Sequence, residues 1–214
     1  MQQSKIIRHK LIDRILHWFF AATILILLIT GLLPVYGFNA SLIVIHWVTG
    51  LTLTILLLLH ICRSVFWKKL GEIWFSRKDL NLNQGRLGKY SLAQKLMHQG
   101  VAVLTLAAVV TGLMMMVRLD TPLWERDPYW LNAETWGVVF FIHGLAALSF
   151  VSIIMLHIYF SLRPESRMYL RSIFKGWITR EEYERKHDEQ LWSPDRSSER
   201  AKDTDKSLNN VASE

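Results

Sequence analysis

Apolar residues along this 214-residue chain gather into four long blocks separated by polar and charged stretches. The blocks cover about residues 15–36, 42–66, 96–117 and 136–162. Each reaches the roughly 20 apolar residues needed to cross the hydrocarbon of a bilayer. The pattern therefore predicts an all-α fold, an integral membrane four-helix bundle forming one domain over residues 1–192. A cleavable signal peptide needs a short apolar run ending in a small-residue cleavage site. The first block is too long and lacks such a site, so it is expected to be a retained helix.

The polar stretches have their own patterns. Between blocks two and three, basic, aromatic and Gly residues predict a short interfacial helix around 70–75 followed by a loop. Residues 118–135 carry Pro122, Pro128, Trp124, Tyr129 and Trp130, which suits an ordered cap with rings at headgroup depth. Residues 167–187 set Met168, Ile173, Phe174, Trp177, Ile178 and Tyr183 among many charges, predicting a helix lying on the membrane surface. From residue 193 onward there is almost nothing to bury, and 193–214 is expected to be a disordered cytoplasmic tail.

The net charge of +7 would fit a nucleic-acid partner, but its distribution follows membrane topology instead. Lys5, Arg8, Lys10 and Arg14 precede the first block. Arg63, Lys68, Lys69, Arg77, Lys78, Arg86, Lys89 and Lys95 lie between the second and third. Residues 37–41 carry no charge, and residues 120–134 hold four acids against Arg126 alone. The positive-inside rule then puts both termini in the cytoplasm and the chain in a bacterial inner membrane. Cys62 is the single cysteine, which excludes an internal disulfide, a CxxC zinc or iron–sulfur site and covalently attached haem.

Histidines carry the candidate chemistry. His46 and His60 are 14 residues apart on the second block, and His143 and His157 are 14 apart on the fourth. Fourteen residues is just under four helical turns, about 21 Å along one face. The surrounding sequence echoes too: Ile45-His46 with Leu51 matches Ile142-His143 with Leu148, and Leu59-His60-Ile61 matches Leu156-His157-Ile158. Parallel helices with imidazoles at two depths suit two bis-histidine haems, whereas an isolated membrane histidine more often serves helix packing or a proton path. His46 and His143 are expected to hold an outer haem. His157 is expected at an inner haem, with His60 or His17 opposite it; symmetry selects His60, and spacing leaves both open. His98 reads as an interfacial histidine or one near a quinone site. His9 and His187 lie in charged stretches expected to be solvated and receive no role. Gly31, Gly50 and Gly144 would let a porphyrin approach the backbone.

Four segments resemble the cytochrome b (gamma) subunit of membrane-bound formate dehydrogenases, with b-type cytochromes of nickel–iron hydrogenases as more distant relatives. They are Leu-Ile-Asp-Arg-x-x-His-Trp over residues 11–18, Ile45-His46, Gly-Lys-Tyr-x-x-x-Gln-Lys over residues 88–95, and His143 with His157 and Tyr159. The resemblance extends to about Trp192. It implies that the inner haem is held by His17 and His157, leaving His60 as an extra polar residue that departs from the pattern. It also implies a menaquinone or ubiquinone site beside the inner haem, involving Ser91 and Gln94. Ser91 stands where the pattern usually has Asn, and its shorter hydroxyl would reach a quinone oxygen directly or through water. His98 could then serve as a proton donor.

The resemblance thus implies an electron-transfer subunit with two b haems. Its partners would be an iron–sulfur subunit and a molybdopterin catalytic subunit, with higher-order assembly of the complex compatible. This chain itself carries no motif for substrate oxidation. Two other readings are a cytochrome subunit of a hydrogenase or a thiosulfate or polysulfide reductase, and a haem-free membrane protein using histidines as a proton relay.

Overall fold

The computed structural model describes residues 4–38, 41–67, 74 and 88–194. Four helices dominate it: α1 (Leu11–Leu32), α2 (Ile43–Trp67), α3 (Leu92–Met116) and α4 (Ala133–Leu162). All four are long and apolar enough to cross a membrane. Their outward faces leave large side chains such as Phe19, Leu58, Val103 and Phe141 exposed, as lipid contact requires. Inside the helices, Thr23, Thr30, Thr105 and Thr111 are buried. Each donates its hydroxyl to a carbonyl one turn earlier, so no polar group is stranded in hydrocarbon.

Three of these helices begin earlier than hydropathy predicts, because their first turns are polar and capped. α1 starts at Leu11 rather than 15, and its first-turn Asp13 pairs with Arg63 of α2 at 2.5 Å. α3 starts at Leu92 rather than 96, behind a capping box. There the Ser91 hydroxyl accepts from the Gln94 N–H at 3.3 Å, and the Gln94 side chain accepts from the Ser91 N–H at 3.0 Å. Such a reciprocal pair satisfies two donors that a helix start leaves orphaned. α4 starts at Ala133 rather than 136, where Asn132 accepts from the Thr135 N–H at 2.8 Å.

α1 packs along α2 and α3 along α4, making two antiparallel hairpins. We call the end of the bundle that carries the chain's terminal segments the base. At the opposite end, α1 runs into a 3-10 turn (Leu33–Tyr36) closed by Gly37 at φ 86°. The cap expected over residues 118–135 is ordered: Trp124 donates its indole N–H to the Met116 carbonyl at 3.0 Å, and Trp136 donates to the Pro128 carbonyl at 3.2 Å.

The base departs from expectation in three respects. The stretch 167–187 is not one surface helix but α5 (Arg167–Lys175), β2 (Trp177–Thr179) and α6 (Arg180–Lys186). The break lies at Gly176, which adopts φ 89° as the left-handed end of α5, a conformation open to glycine at no steric cost. Second, β1 (Lys5–Ile7) pairs antiparallel with β2, adding a two-stranded sheet to an otherwise helical fold. The N–H groups of Arg8 and His9 both donate to the Gly176 carbonyl, so the N-terminal strand covers the break. Ile6, Met168, Ile178, Tyr183 and Trp192 form the small core beneath it.

Third, His187 is not solvated but 2% exposed. Its Nδ1 lies 2.8 Å from the Gly88 carbonyl, which can only accept, so the proton sits on Nδ1. Its Nε2 then accepts from the Arg8 guanidinium at 2.8 Å. Arg8 also donates to the Lys89 carbonyl and lies over the rings of Tyr169, Trp192 and Tyr90 at 4.7, 5.4 and 5.8 Å. Burial pulls this guanidinium below its ordinary pKa, and the two tyrosines oppose that shift. One residue thus clasps the N-terminal strand, the segment leading into α3 and the C-terminal elements. The helix expected around 70–75 and the tail beyond 194 lie outside the described residues.

Candidate functional site

α2 and α4 each carry two histidines because 14 residues return nearly to the same face, and the bundle turns those faces inward. His46 of α2 and His143 of α4 meet across the end away from the base, with ring centroids 6.2 Å apart and planes at 73°. At the base, His157 of α4 faces His17 of α1, with centroids 6.3 Å apart at 45°. His60 does not face His157. It lies opposite His98 of α3, with centroids 6.3 Å apart at 44°, and has Phe20 edge-on at 5.7 Å.

These spacings have a chemical meaning. Two metal–nitrogen bonds of about 2.0–2.1 Å plus an imidazole radius of roughly 1.1 Å on each side put two rings sharing one metal about 6.3 Å apart. The imidazole pairs are therefore spaced as axial ligands of a single metal are spaced, and a haem iron takes axial imidazoles in this way.

The His46–His143 pair is oriented by two threonines that the sequence reading missed. Thr30 donates its only hydroxyl proton to the Ile26 carbonyl at 2.8 Å, while its oxygen lies 2.9 Å from His46 Nδ1. The imidazole must then be the donor, so Nδ1 carries the proton and Nε2 presents a bare lone pair. Thr111 does the same for His143, with 2.6 Å to the Ala107 carbonyl and 2.9 Å to Nδ1. Fixing the second nitrogen sets both the tautomer and the direction of a ligating histidine.

A glycine follows each threonine. A Cβ on Gly31 would lie 3.1 Å from His46 Cε1, and one on Gly112 would lie 3.3 Å from His143 Cε1. Gly31 therefore makes room for an imidazole rather than for a porphyrin. The recurring Thr-Gly, at 30–31 and 111–112, is the signal that would have found both threonines. Gly50 lines the adjoining cavity of about 320 Å³, together with both imidazoles, Leu53, Phe150 and Arg118. Gly144 borders open space. Arg118 is the one charged residue in that lining, and its guanidinium sits over Trp136 and Phe140.

At the base, His17 Nδ1 is buried with no hydrogen-bond partner, a polar atom that the protein by itself leaves unsatisfied. Asp13, one turn before His17, ties α1 to Arg63, and Arg14 donates to the Phe174 carbonyl at 2.5 Å. The acid and the arginine of the Asp-Arg-x-x-His-Trp segment thus hold α1 against α2 and α5. Ser91 and Gln94 satisfy each other at the start of α3, which leaves the Ser91 hydroxyl proton and the Gln94 amide N–H₂ without a role in the cap. His9 lies beside Tyr90, with ring centroids 6.3 Å apart.

Apolar walls, imidazoles at two depths with bare Nε2 atoms, and no acidic cluster among the described residues define a membrane helical bundle built for b-type haem. The family model described as prokaryotic cytochrome b561 matches residues 8–176. The chain belongs to that family: it is a multi-pass membrane cytochrome of the b type, a class that transfers electrons. A comparison with curated protein sequences finds no match.

Replacing Thr30 or Thr111 by Val keeps the shape and removes the acceptor. Loss of such a partner typically costs about 10–100-fold in metal-site affinity. Each variant should therefore release haem about that much more readily from the His46–His143 level. Haem-release kinetics from purified protein would measure it, and unchanged release would show that the hydroxyls do not orient the ligands.

Proposed function

We propose that this chain is the dihaem b membrane subunit of a formate dehydrogenase. It takes electrons from an iron–sulfur subunit on the outer side and delivers them to quinone near the cytoplasmic face. The observation that carries the reading is the stacking of His46–His143 above His17–His157 in one bundle, each pair at axial-ligand spacing. The two levels lie 14 residues apart on α4, about 21 Å of helix.

A haem held by two imidazoles supplies one-electron transfer with no open iron position. Everything else is the work of the chain. Thr30 and Thr111 aim the outer ligands, Gly31 and Gly112 admit their rings, and the apolar lining keeps water from the iron. Arg118 places a positive charge at the mouth of the outer site, suited to a porphyrin carboxylate. Asp13 with Arg63 and Arg14 with Phe174 hold the helix that presents His17. The basic residues gathered at the base favour its placement in the cytoplasm. There the free Ser91 hydroxyl and Gln94 amide can donate to a quinone oxygen.

The test is the complex purified from native membranes. Formate should reduce the b-haem absorption band, added quinone should reoxidise it, and mass spectrometry should find a molybdopterin subunit and an iron–sulfur subunit alongside. Reduction by hydrogen instead, with a nickel–iron subunit present, would assign the chain to a hydrogenase.

A further inference from the structure

We infer that His60 and His98 form a third bis-imidazole haem clamp, the two-fold counterpart of the His17–His157 clamp. This inference rests on the b-haem reading above and extends it to two histidines that reading leaves unused.

The chain is an internal repeat of two helical hairpins. Adding 81 to a residue number carries α1 onto α3, taking His17 to His98, Thr30 to Thr111 and Gly31 to Gly112. Adding 97 carries α2 onto α4, taking His46 to His143 and His60 to His157. Five chemistry-bearing positions thus recur at two constant offsets, with α1 and α3 running one way through the bundle and α2 and α4 the other.

Such a repeat implies a pseudo-two-fold axis along the bundle. Exchanging the hairpins maps His46–His143 onto itself, and this pair is treated symmetrically, each ring held by its own Thr-Gly. The same operation maps His17–His157 onto His98–His60. The structure obeys it closely: centroids are 6.3 Å apart in both pairs, with planes at 45° and 44°. In each pair one ring is half-buried, His17 or His60, and its partner is exposed, His157 or His98. If the first pair is spaced for an axial iron, the second is spaced for one equally well.

The two clamps differ in their walls. Phe20 stands edge-on to His60 at 5.7 Å, whereas the repeat places Val101 at the equivalent position of α3. Iron at the two base clamps would therefore sit in unlike surroundings and titrate at different potentials, because burial and packing around a haem tune its potential. The base would then offer two one-electron stations to an acceptor that takes two electrons.

The experiment is haem and iron quantitation per polypeptide on the purified holo-complex, combined with a redox titration and low-spin EPR. Three haems with three midpoints are expected in the unaltered protein. His60→Ala and His98→Ala should each remove one haem and one midpoint and leave the other two signals in place. Those retained signals report that the variant has folded. His60→Gln, which keeps a polar side chain of similar size, should lose the same haem. A ratio of two haems in the unaltered protein overturns the inference. In that case, loss of one haem in His17→Ala would still uphold the proposed function, and a protein without haem would overturn both.

Discussion

His143→Ala should lower the haem content by one per chain and cut electron delivery from the partner subunit to quinone by at least about tenfold, since axial ligation is what holds a non-covalent haem. The residue faces His46 at 6.2 Å, and its own orientation depends on Thr111. Removing it leaves His46 still held by Thr30 but alone, so the loss should be confined to one level of the bundle. The midpoint belonging to His17–His157 should persist, because that pair lies 14 residues away along α4. Haem extraction, redox titration and formate-driven quinone reduction on the same preparation check all three statements. Full retention of haem in this variant would refute the ligand assignment at the outer level.

Arg8→Ala should open the base without touching either level of haem. Arg8 is 4% exposed and donates to His187 and to the Lys89 carbonyl while lying over three aromatic rings. A hydrogen bond from a charged donor contributes about 1.5–3 kcal/mol, and truncation also strands a buried acceptor on His187. We therefore expect the base elements to lose about 3 kcal/mol of local stability, taking that range with partial compensation by water. Hydrogen exchange should accelerate in residues 4–8, 88–90 and 177–192 together, since the clasp joins all three. If only the N-terminal strand responded, His187 would be held by other contacts. Because residues 88–95 lead into α3 and contain Ser91 and Gln94, quinone reduction should weaken in this variant while haem content stays constant.

The four spans were legible in the sequence because hydrophobicity over about twenty residues is a local property that lipid enforces. Helix starts were less so. Hydropathy trims the polar first turns at Asp13, Gln94 and Glu134, and only side-chain capping shows that these turns are helical. The single surface helix expected over 167–187 overlooked Gly176, whose left-handed turn and covering strand come from opposite ends of the chain. His187 looked solvated because its sequence neighbours are charged, yet its partner is Arg8, 179 residues away. The fourteen-residue histidine spacing was visible, and so was the resemblance that set His17 against His157. The threonines behind His46 and His143 went unread, although Thr-Gly recurs in plain view.

By itself, then, the sequence determined a membrane bundle of four helices, imidazoles at two depths and a basic end, since composition and periodicity act within single helices. Tertiary structure alone decided which ring faces which. Symmetry along the chain favoured His60 opposite His157, but the two hairpins pack so that α1 meets α4 and α2 meets α3 at the base. The partner of an imidazole across a bundle is set by how helices are rotated and apposed, and that is a property of the packed assembly rather than of any one helix.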